Sequence, residues 1–566
     1  MADPVVSVVI ERTSNLLIQK IVFLKGVRRQ VERLQNDLVR MRCFLNDADQ
    51  RQDEDERIRN WVSEIRAAAY DAEDIIEIFA SKVEFFTKDK GLVTKLTYYP
   101  LKIVSLNKIG KEIESLRMRL KEIADSREEY DIKNLREGMT THGEELQRIR
   151  RSSPLSEDKD IVGFEKITKS LVAELLKADR NRRVVSIKAE DENFFQIHDA
   201  RDDKISAKSR YLAVHTLPRD KNYFGSSTPP LRSLLFFNIR RYGEDISLSF
   251  KSFRKLRIVD LENVEMGYDL PEGIGEFRLL RYLGLRRTSI GRLPHSFGFL
   301  RNLQTLDIRN INRVIVSNFI CKLEGLRHLY AYDLMSNVPL KIEGLKNLQT
   351  LSRIHFDHIM HNDMTTLTSL QKLGIWVDGT SEIDKLCTHL SEVGSLKTLH
   401  LYCLEQPQSL AGLSKLHRVT ELKLFGRGLR MLPPDFPPNL SRLSLKETRL
   451  GADPMPVLEK LGQLSSLKMK DAYEGPQHMG ISRNGFHQLK FLELRYLRVD
   501  EIKVEEGALP QLRCLRIREC YRLEKLPEEL KHISSLDKLE LVDMPKDFIR
   551  RLDADMVSSV PNLRIF

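Results

Sequence analysis

The sequence predicts a multidomain chain: an N-terminal all-α four-helix bundle followed by a long α/β solenoid of short parallel strands. Apolar residues near the N-terminus step by three and four, the rhythm of amphipathic helices. A frame of the form LxxLxL recurs through the second half. Between them lies a stretch that keeps neither rhythm. At 566 residues the chain is also too long for a single core.

The helical part comes first. Val27, Val31, Leu34, Leu38, Met41 and Leu45 form one apolar seam. Ile58, Trp61, Ile65, Ala68, Ala72, Ile75 and Phe79 form a second, and Leu106, Ile109, Ile113, Leu116, Leu120 and Ile123 a third. A polar stretch over 46–57 separates the second helix from the third. With a first helix near 5–24, these predict an antiparallel bundle over 1–130.

The solenoid is expected over 206–566. Leu256-Arg-Ile-Val259-Asp-Leu261, Leu280-Arg-Tyr-Leu283-Gly-Leu285 and Leu303-Gln-Thr-Leu306-Asp-Ile308 set the frame. Counting weaker copies at Leu231 and Leu348, it starts about 14 times, 21 to 26 residues apart. That period belongs to leucine-rich repeats. One such strand cannot bury its face alone, so neighbours must stack. The Asn or Cys that normally follows the frame is irregular: Cys520 fits, while Thr288 and Thr448 replace it. Leu293-Pro294 and Leu526-Pro527 read as turns on the side away from the strands.

Bulk chemistry narrows the function classes. The formal charge of +11 is small beside 92 basic and 81 acidic residues, so it does not call for nucleic acid. Six cysteines without a CxxC pair give no zinc or redox motif and suit a reducing cytosol, so a cytoplasmic protein is expected. No basic n-region precedes the first apolar run, and no run of 18 apolar residues occurs. There is no Gly-x-Ser-x-Gly elbow and no HExxH. The 14 histidines lack ligand spacing, and His328 and His400 read as surface residues of repeat strands. The expectation is a protein with no catalytic residues and no metal.

Particular residues then carry a family. Met41-Arg-Cys-Phe44-Leu45-Asn-Asp47-Ala48-Asp49, Trp61-Val62 and Tyr70-Asp71-Ala72-Glu73-Asp74-Ile75-Ile76-Glu77 closely resemble the Rx-like coiled-coil domain of plant nucleotide-binding leucine-rich-repeat immune receptors. The last segment is similar to that family's acidic EDVID motif, with Ile for Val and Glu for Asp. The resemblance covers about residues 1–190 and, more loosely, the repeats. It implies disease resistance through protein recognition. The partners it implies are a pathogen effector or host target at the repeats, and immune receptors or co-factors at the coiled coil. Met1-Ala2-Asp3 and Val6-Ser7 partly match the family's N-terminal MADA pattern, which is thought to reach the plasma membrane after activation. In the resting state the bundle is the expected place for this helix.

Residues 131–205 are expected to be a linker with a remnant of the nucleotide-binding domain. Asp160-Ile-Val-Gly-Phe164 and Arg183-Val-Val-Ser-Ile187 resemble that domain's opening, but Lys188-Ala-Glu-Asp-Glu follows in place of a phosphate loop. GxxxxGK[ST] occurs nowhere, and Gly138 to Gly143, with the right gap, is followed by Glu144 and Glu145. Intact family members bind ADP or ATP; here no cofactor is expected. Ile197-His198-Asp199 imitates the family's nucleotide sensor by coincidence. Besides a receptor that has lost its switch, a regulatory adaptor or decoy of full-length receptors, or an inert product of a deleted gene, fits the same residues.

Two surfaces are candidates. The last outward position of each frame gives a column of Arg286, Arg309, Tyr332, Trp376, Tyr402, Phe425, Lys446, Lys470, Arg495 and Arg518. Tyr332, Trp376, Tyr402 and Phe425, closed by Lys446, Lys470, Arg495 and Arg518, read as a ligand-protein platform. In the family the acidic motif docks on arginines of early repeats, which implies that Glu73, Asp74 and Glu77 meet Arg286 and Arg309.

Overall fold

The apolar seams do fold as helices. The computed structural model describes residues 4–19, 27–48, 56–88, 92–126, 195–198, 209–215, 230–237 and, with short gaps, 253–566. The chain forms two compact units. The first holds 1–213 with 226–233 and 253–256; the second holds 214–225, 234–252 and 257–566. The expected remnant segments at 160–164 and 183–187, and the glycine pair at 138 and 143, lie outside the described residues.

In the first unit, helices α1 (Pro4–Gln19), α2 (Arg28–Ala48), α3 (Glu56–Lys88) and α4 (Leu92–Asp125) share one core. Val27, Val31, Leu34, Leu38, Met41 and Leu45 are all buried, as are Ile109, Ile113, Leu116, Leu120 and Ile123. In α3 the seam shifts by one residue: Ile76 is buried and Ile75 only half-buried. Both α2 and α3 bite into the polar stretch, α2 running to Ala48 and α3 starting at Glu56. Glu56 at the start of α3 suits the positive end of the helix dipole. Direction follows from the pairs. Trp61 Nε1 donates to Ile123 O at 2.8 Å while Arg119 meets Asp71, so α3 and α4 run antiparallel. Gly110 lies against Val27 and Arg117 meets Asp37, so α2 runs alongside α4 in the same sense. Val6, Val9 and Ile10 of α1 are buried in the common core, the place expected for the first helix at rest.

In the second unit the frames are short strands that pair in parallel from Ile258 onward. Each strand is short because its leucines alternate inward, as in Glu421–Phe425, where Leu422 and Leu424 are buried and the residues between are half-buried. Pro294 and Pro527 precede short 3-10 helices, His295–Phe299 and Glu528–His532, since a fixed φ suits the position before a helical turn. The irregular slot after the frame is chemically satisfied. Thr288 Oγ1 donates to Leu285 O at 2.8 Å, and Thr448 Oγ1 donates to Ala472 O at 3.0 Å. Both threonines are buried, so a hydroxyl does there what an amide would do. Ile197 and His198 sit in a strand, Phe195–His198, paired with Tyr211–Val214. All six cysteines are free.

One repeat departs from the rest. Leu348-Gln-Thr-Leu351-Ser-Arg-Ile354 holds one residue more than the frame. The register between Thr350–His355 and Lys372–Val377 shifts between Leu351 and Ile354, a β-bulge. Arg353 occupies it at φ 55°, inside a strand, a left-handed conformation uncommon for a residue with a Cβ. Ser352 Oγ supports the kink by accepting from Ala331 N–H at 3.0 Å, where the ladder to His328–Ala331 has ended.

Candidate functional site

The acidic motif of α3 is the first candidate. It is held by cations within its own compact unit, from segments that open the first repeat frames. Arg232 Nη1 donates to Glu73 at 2.6 Å, and its Nη2 to Asp74 at 2.7 Å and to the Tyr70 carbonyl at 2.6 Å. Its guanidinium also lies 4.2 Å from the Tyr70 ring centroid. Arg210 and Lys255 reach Asp71 at 3.1 and 2.9 Å. From α1, Arg12 meets Glu73 and Glu77 at 2.5 and 3.1 Å. Arg232 is 3 % exposed and Asp74 fully buried, so this is a desolvated network rather than a solvated charge run.

The acidic residues Glu73, Asp74 and Glu77 therefore sit in an ion-pair cluster, but their expected partners are placed otherwise. Arg286 bonds Asp260 and Glu262 at 3.1 and 2.6 Å, and Arg309 bonds Asp307 at 2.6 Å and lies over the Tyr330 ring. Carboxylates of their own or adjoining strands neutralise these two guanidiniums. Sequence reading missed Arg210 and Arg232 because Arg232 belongs to the weak frame at Leu231 and Arg210 lies ahead of every frame. The available signal was a basic residue directly before or after the opening apolar residue, in Ser209-Arg210-Tyr211 and Leu231-Arg232-Ser233.

Burial opposes ionisation of Asp71, but Lys255, Arg210 and Arg119 overcome it and hold its carboxyl below the ordinary aspartate value. The folded value lies below the unfolded one. Stability from this group is thus whole above about pH 4 and is lost as pH falls through the folded value. Melting of the chain is expected to be level from pH 7 to 5 and to drop below about pH 4. Asp71→Asn should flatten the acid drop, and an unchanged acid profile in that variant would remove the assignment.

The second candidate is the repeat sheet. Register brings Trp376, Tyr402, Phe425, Lys446, Lys470, Arg495 and Arg518 to consecutive strand-to-strand partners, one line across the open face. Tyr332 joins through its carbonyl, which accepts from Trp376 Nε1 at 3.1 Å. The line is not uniformly exposed. Tyr332 is exposed, but Tyr402 is buried between Trp376 and Phe425, whose ring centroids lie 5.0 and 4.8 Å away. Tyr402 is thus a floor rather than a contact. At the basic end, Arg495 bonds Glu519 at 2.9 Å and Lys446 meets Glu447 at 3.4 Å, so part of that charge is neutralised.

Arg353 lies among these rings, 4.3 Å from the Tyr332 centroid, 4.5 Å from Tyr402 and 5.5 Å from Trp376. The inserted residue of the bulge was its signal in the sequence. His400 faces the same region and is buried, not exposed as expected for a strand histidine. Burial pushes its pKa down to about 3, helped by Lys423, Lys372 and Arg353, so it is neutral near neutral pH and unsuited to acid–base work there. His328 is half-buried and accepts from or donates to Thr350 Oγ1 at 3.2 Å. Among the described residues, no group of three His, Cys, Asp or Glu side chains could hold a metal ion, and no helix is long and apolar enough to cross a membrane.

Residues 5–97 match the Rx N-terminal domain, and residues 230–545 match the leucine-rich repeat region. The chain is 31% identical over 396 residues to disease resistance protein RPP8 of Arabidopsis thaliana, covering 66% of this chain and 43% of that one. It is 28% identical over 448 residues to disease resistance protein RPH8A of the same plant, covering 75% of this chain and 48% of that one. It spans less than half the length of either relative. A leucine-rich-repeat protein of Leptospira interrogans covers 64% of this chain and 96% of its own at 19% identity and a TM-score of 0.39. With an Rx-type helical domain, a leucine-rich repeat region over more than half its length and these relatives, the chain belongs to the coiled-coil leucine-rich-repeat family of plant disease resistance proteins.

Proposed function

We propose that this chain is an intracellular recognition protein of plant immunity that works by binding other proteins, without a nucleotide switch of its own. Its repeat sheet takes a ligand protein, a pathogen effector or a host target. Its helical unit docks or signals through the acidic motif. The observation that carries the reading is the buried network of Arg232 with Glu73 and Asp74, because a desolvated ion cluster is costly to keep and strongly destabilising to break, which suits a restraint. The absence of GxxxxGK[ST] from the sequence supports the second half: two states cannot be biased by a nucleotide that neither binds. That absence also favours a regulatory adaptor or decoy of full-length receptors over an autonomous switch.

The purified chain is expected to retain no stoichiometric ATP in the presence of magnesium. A tagged chain should recover a protein partner from infected tissue that healthy tissue does not supply. Magnesium-dependent retention of labelled ATP near one per chain would overturn the switchless reading. Recovery of no protein from either tissue would overturn recognition.

A further inference from the structure

The open face of the repeat sheet carries a guanidinium that no described residue neutralises. Among the described residues the Arg353 guanidinium has no carboxylate partner, and its Nη1 is buried without a hydrogen-bond partner. A charged donor left so is costly, so native structures rarely keep one without a reason. Its backbone turns left-handed, at φ 55°, where the register to the next strand shifts, and this sets the side chain among the rings. An unpaired buried donor held in place by a bulge points to a use.

The surroundings are built rather than incidental. Gly374 leaves a notch beside Arg353: a Cβ there would meet Arg353 N at 3.1 Å and the Tyr402 ring at 3.2 Å. Gly374 is in register with His400, which is 6 % exposed and whose Nε2 also lacks a partner. Stacking on Tyr332 and Tyr402 occupies the faces of the guanidinium and leaves its edges as donors. A carboxylate matches such an edge with two parallel hydrogen bonds.

We propose that Arg353, the Gly374 notch and His400 form a subsite that reads a carboxylate of an extended acidic polypeptide segment lying across the repeat strands, with Tyr332 and Trp376 as its walls. The assignment rests on the reading that the repeat sheet recognises protein. Neighbouring charges favour a carboxylate over a phosphate backbone. Lys423 meets Glu421 at 2.8 Å, and Lys446 and Arg495 meet carboxylates of their own, so much of the face's cationic run is already paired, which disfavours a polyanion. A segment continuing from Trp376 over Phe425 would next pass Lys446 and Lys470 on the same register line.

The test uses the purified full chain and two synthetic nine-residue peptides, one with glutamate at alternate positions and the other its glutamine isostere. The chain has two tryptophans, and Trp61 is buried in the helical core, so a change in exposed emission reports Trp376. The glutamate peptide is expected to change that emission saturably and to bind at least tenfold more tightly than the glutamine peptide. Arg353→Gln should lose that preference. Arg353→Lys, which keeps charge and ring contact but not the paired donors, should lose most of it. Both should melt like the parent. Equal binding of the two peptides, full preference in Arg353→Lys, or preferential displacement by a single-stranded RNA oligomer would each overturn the assignment. If neither peptide binds while infected tissue still yields a partner dependent on Trp376, the subsite falls and the recognition reading stands. Glutamate-selective binding without any recovered partner would support the subsite and count against recognition.

Discussion

Arg232→Ala should destabilise the helical unit by about 3–5 kcal/mol, the cost of leaving buried charge without its partner. The side chain serves three acceptors at once: Glu73, Asp74 and the Tyr70 carbonyl. Its removal leaves two buried carboxylates with less compensation than water would give them. Arg232→Lys should fall between parent and alanine, because one ammonium cannot reproduce the planar fork. Arg286→Ala is the internal comparison. Its guanidinium is partly exposed and bonds to Asp260 and Glu262, so about 0–1 kcal/mol is expected. Denaturant unfolding of the full chain, followed by far-ultraviolet circular dichroism, reads all three. Equal midpoints for Arg232→Ala and the parent would show that the network is not a restraint, and the proposed docking role would go with it.

Trp61→Ala should cost a similar amount, about 3–5 kcal/mol, by a different mechanism. The ring is fully buried, sits 6.3 Å from Phe44 and donates its indole N–H to Ile123 O at 2.8 Å. Alanine removes the volume and also leaves the carbonyl near the end of α4 without that donor. Trp61→Phe keeps most of the volume and loses the hydrogen bond, so about 1 kcal/mol is expected. The ratio between the two variants separates packing from hydrogen bonding. If phenylalanine costs as much as alanine, the hydrogen bond rather than the ring anchors α3 to α4.

Much of the fold was legible because it depends on periodicity. A seam such as Val27 to Leu45 can be satisfied in only one way, by turning its face to other helices, and every residue of it is buried. The frame from Leu256 to Leu536 forces stacking because a lone strand exposes its leucines. Even the column from Trp376 to Arg518 could be aligned by counting, since one residue per frame maps to one residue per neighbouring strand. Counting failed where the frame was broken. One inserted residue leaves Arg353 without a register partner yet among the rings, and puts His355 opposite Trp376, and no count of outward positions includes a bulge. Exposure was not legible either: Tyr402 and His400 alternate outward like their neighbours, yet rings and long side chains from adjacent strands cover them.

The acidic motif divides the same way. Its residues and its helix are legible from Tyr70 to Glu77, and the family resemblance implies cationic partners; the burial that makes those partners necessary is seen only in the folded chain. Which cations answer them does not follow. Arg286, Arg309, Arg210 and Arg232 are chemically equal in the sequence, and each pairs with whichever carboxylate the folded chain brings within about 4 Å. For Arg286 and Arg309 these are Asp260, Glu262 and Asp307 from their own or adjoining strands; for Arg232 they are Glu73 and Asp74, more than 150 positions away. Local pattern determined what this protein is built from. Charge pairing acts through space and falls off steeply with distance, so only the tertiary structure decided which groups answer one another.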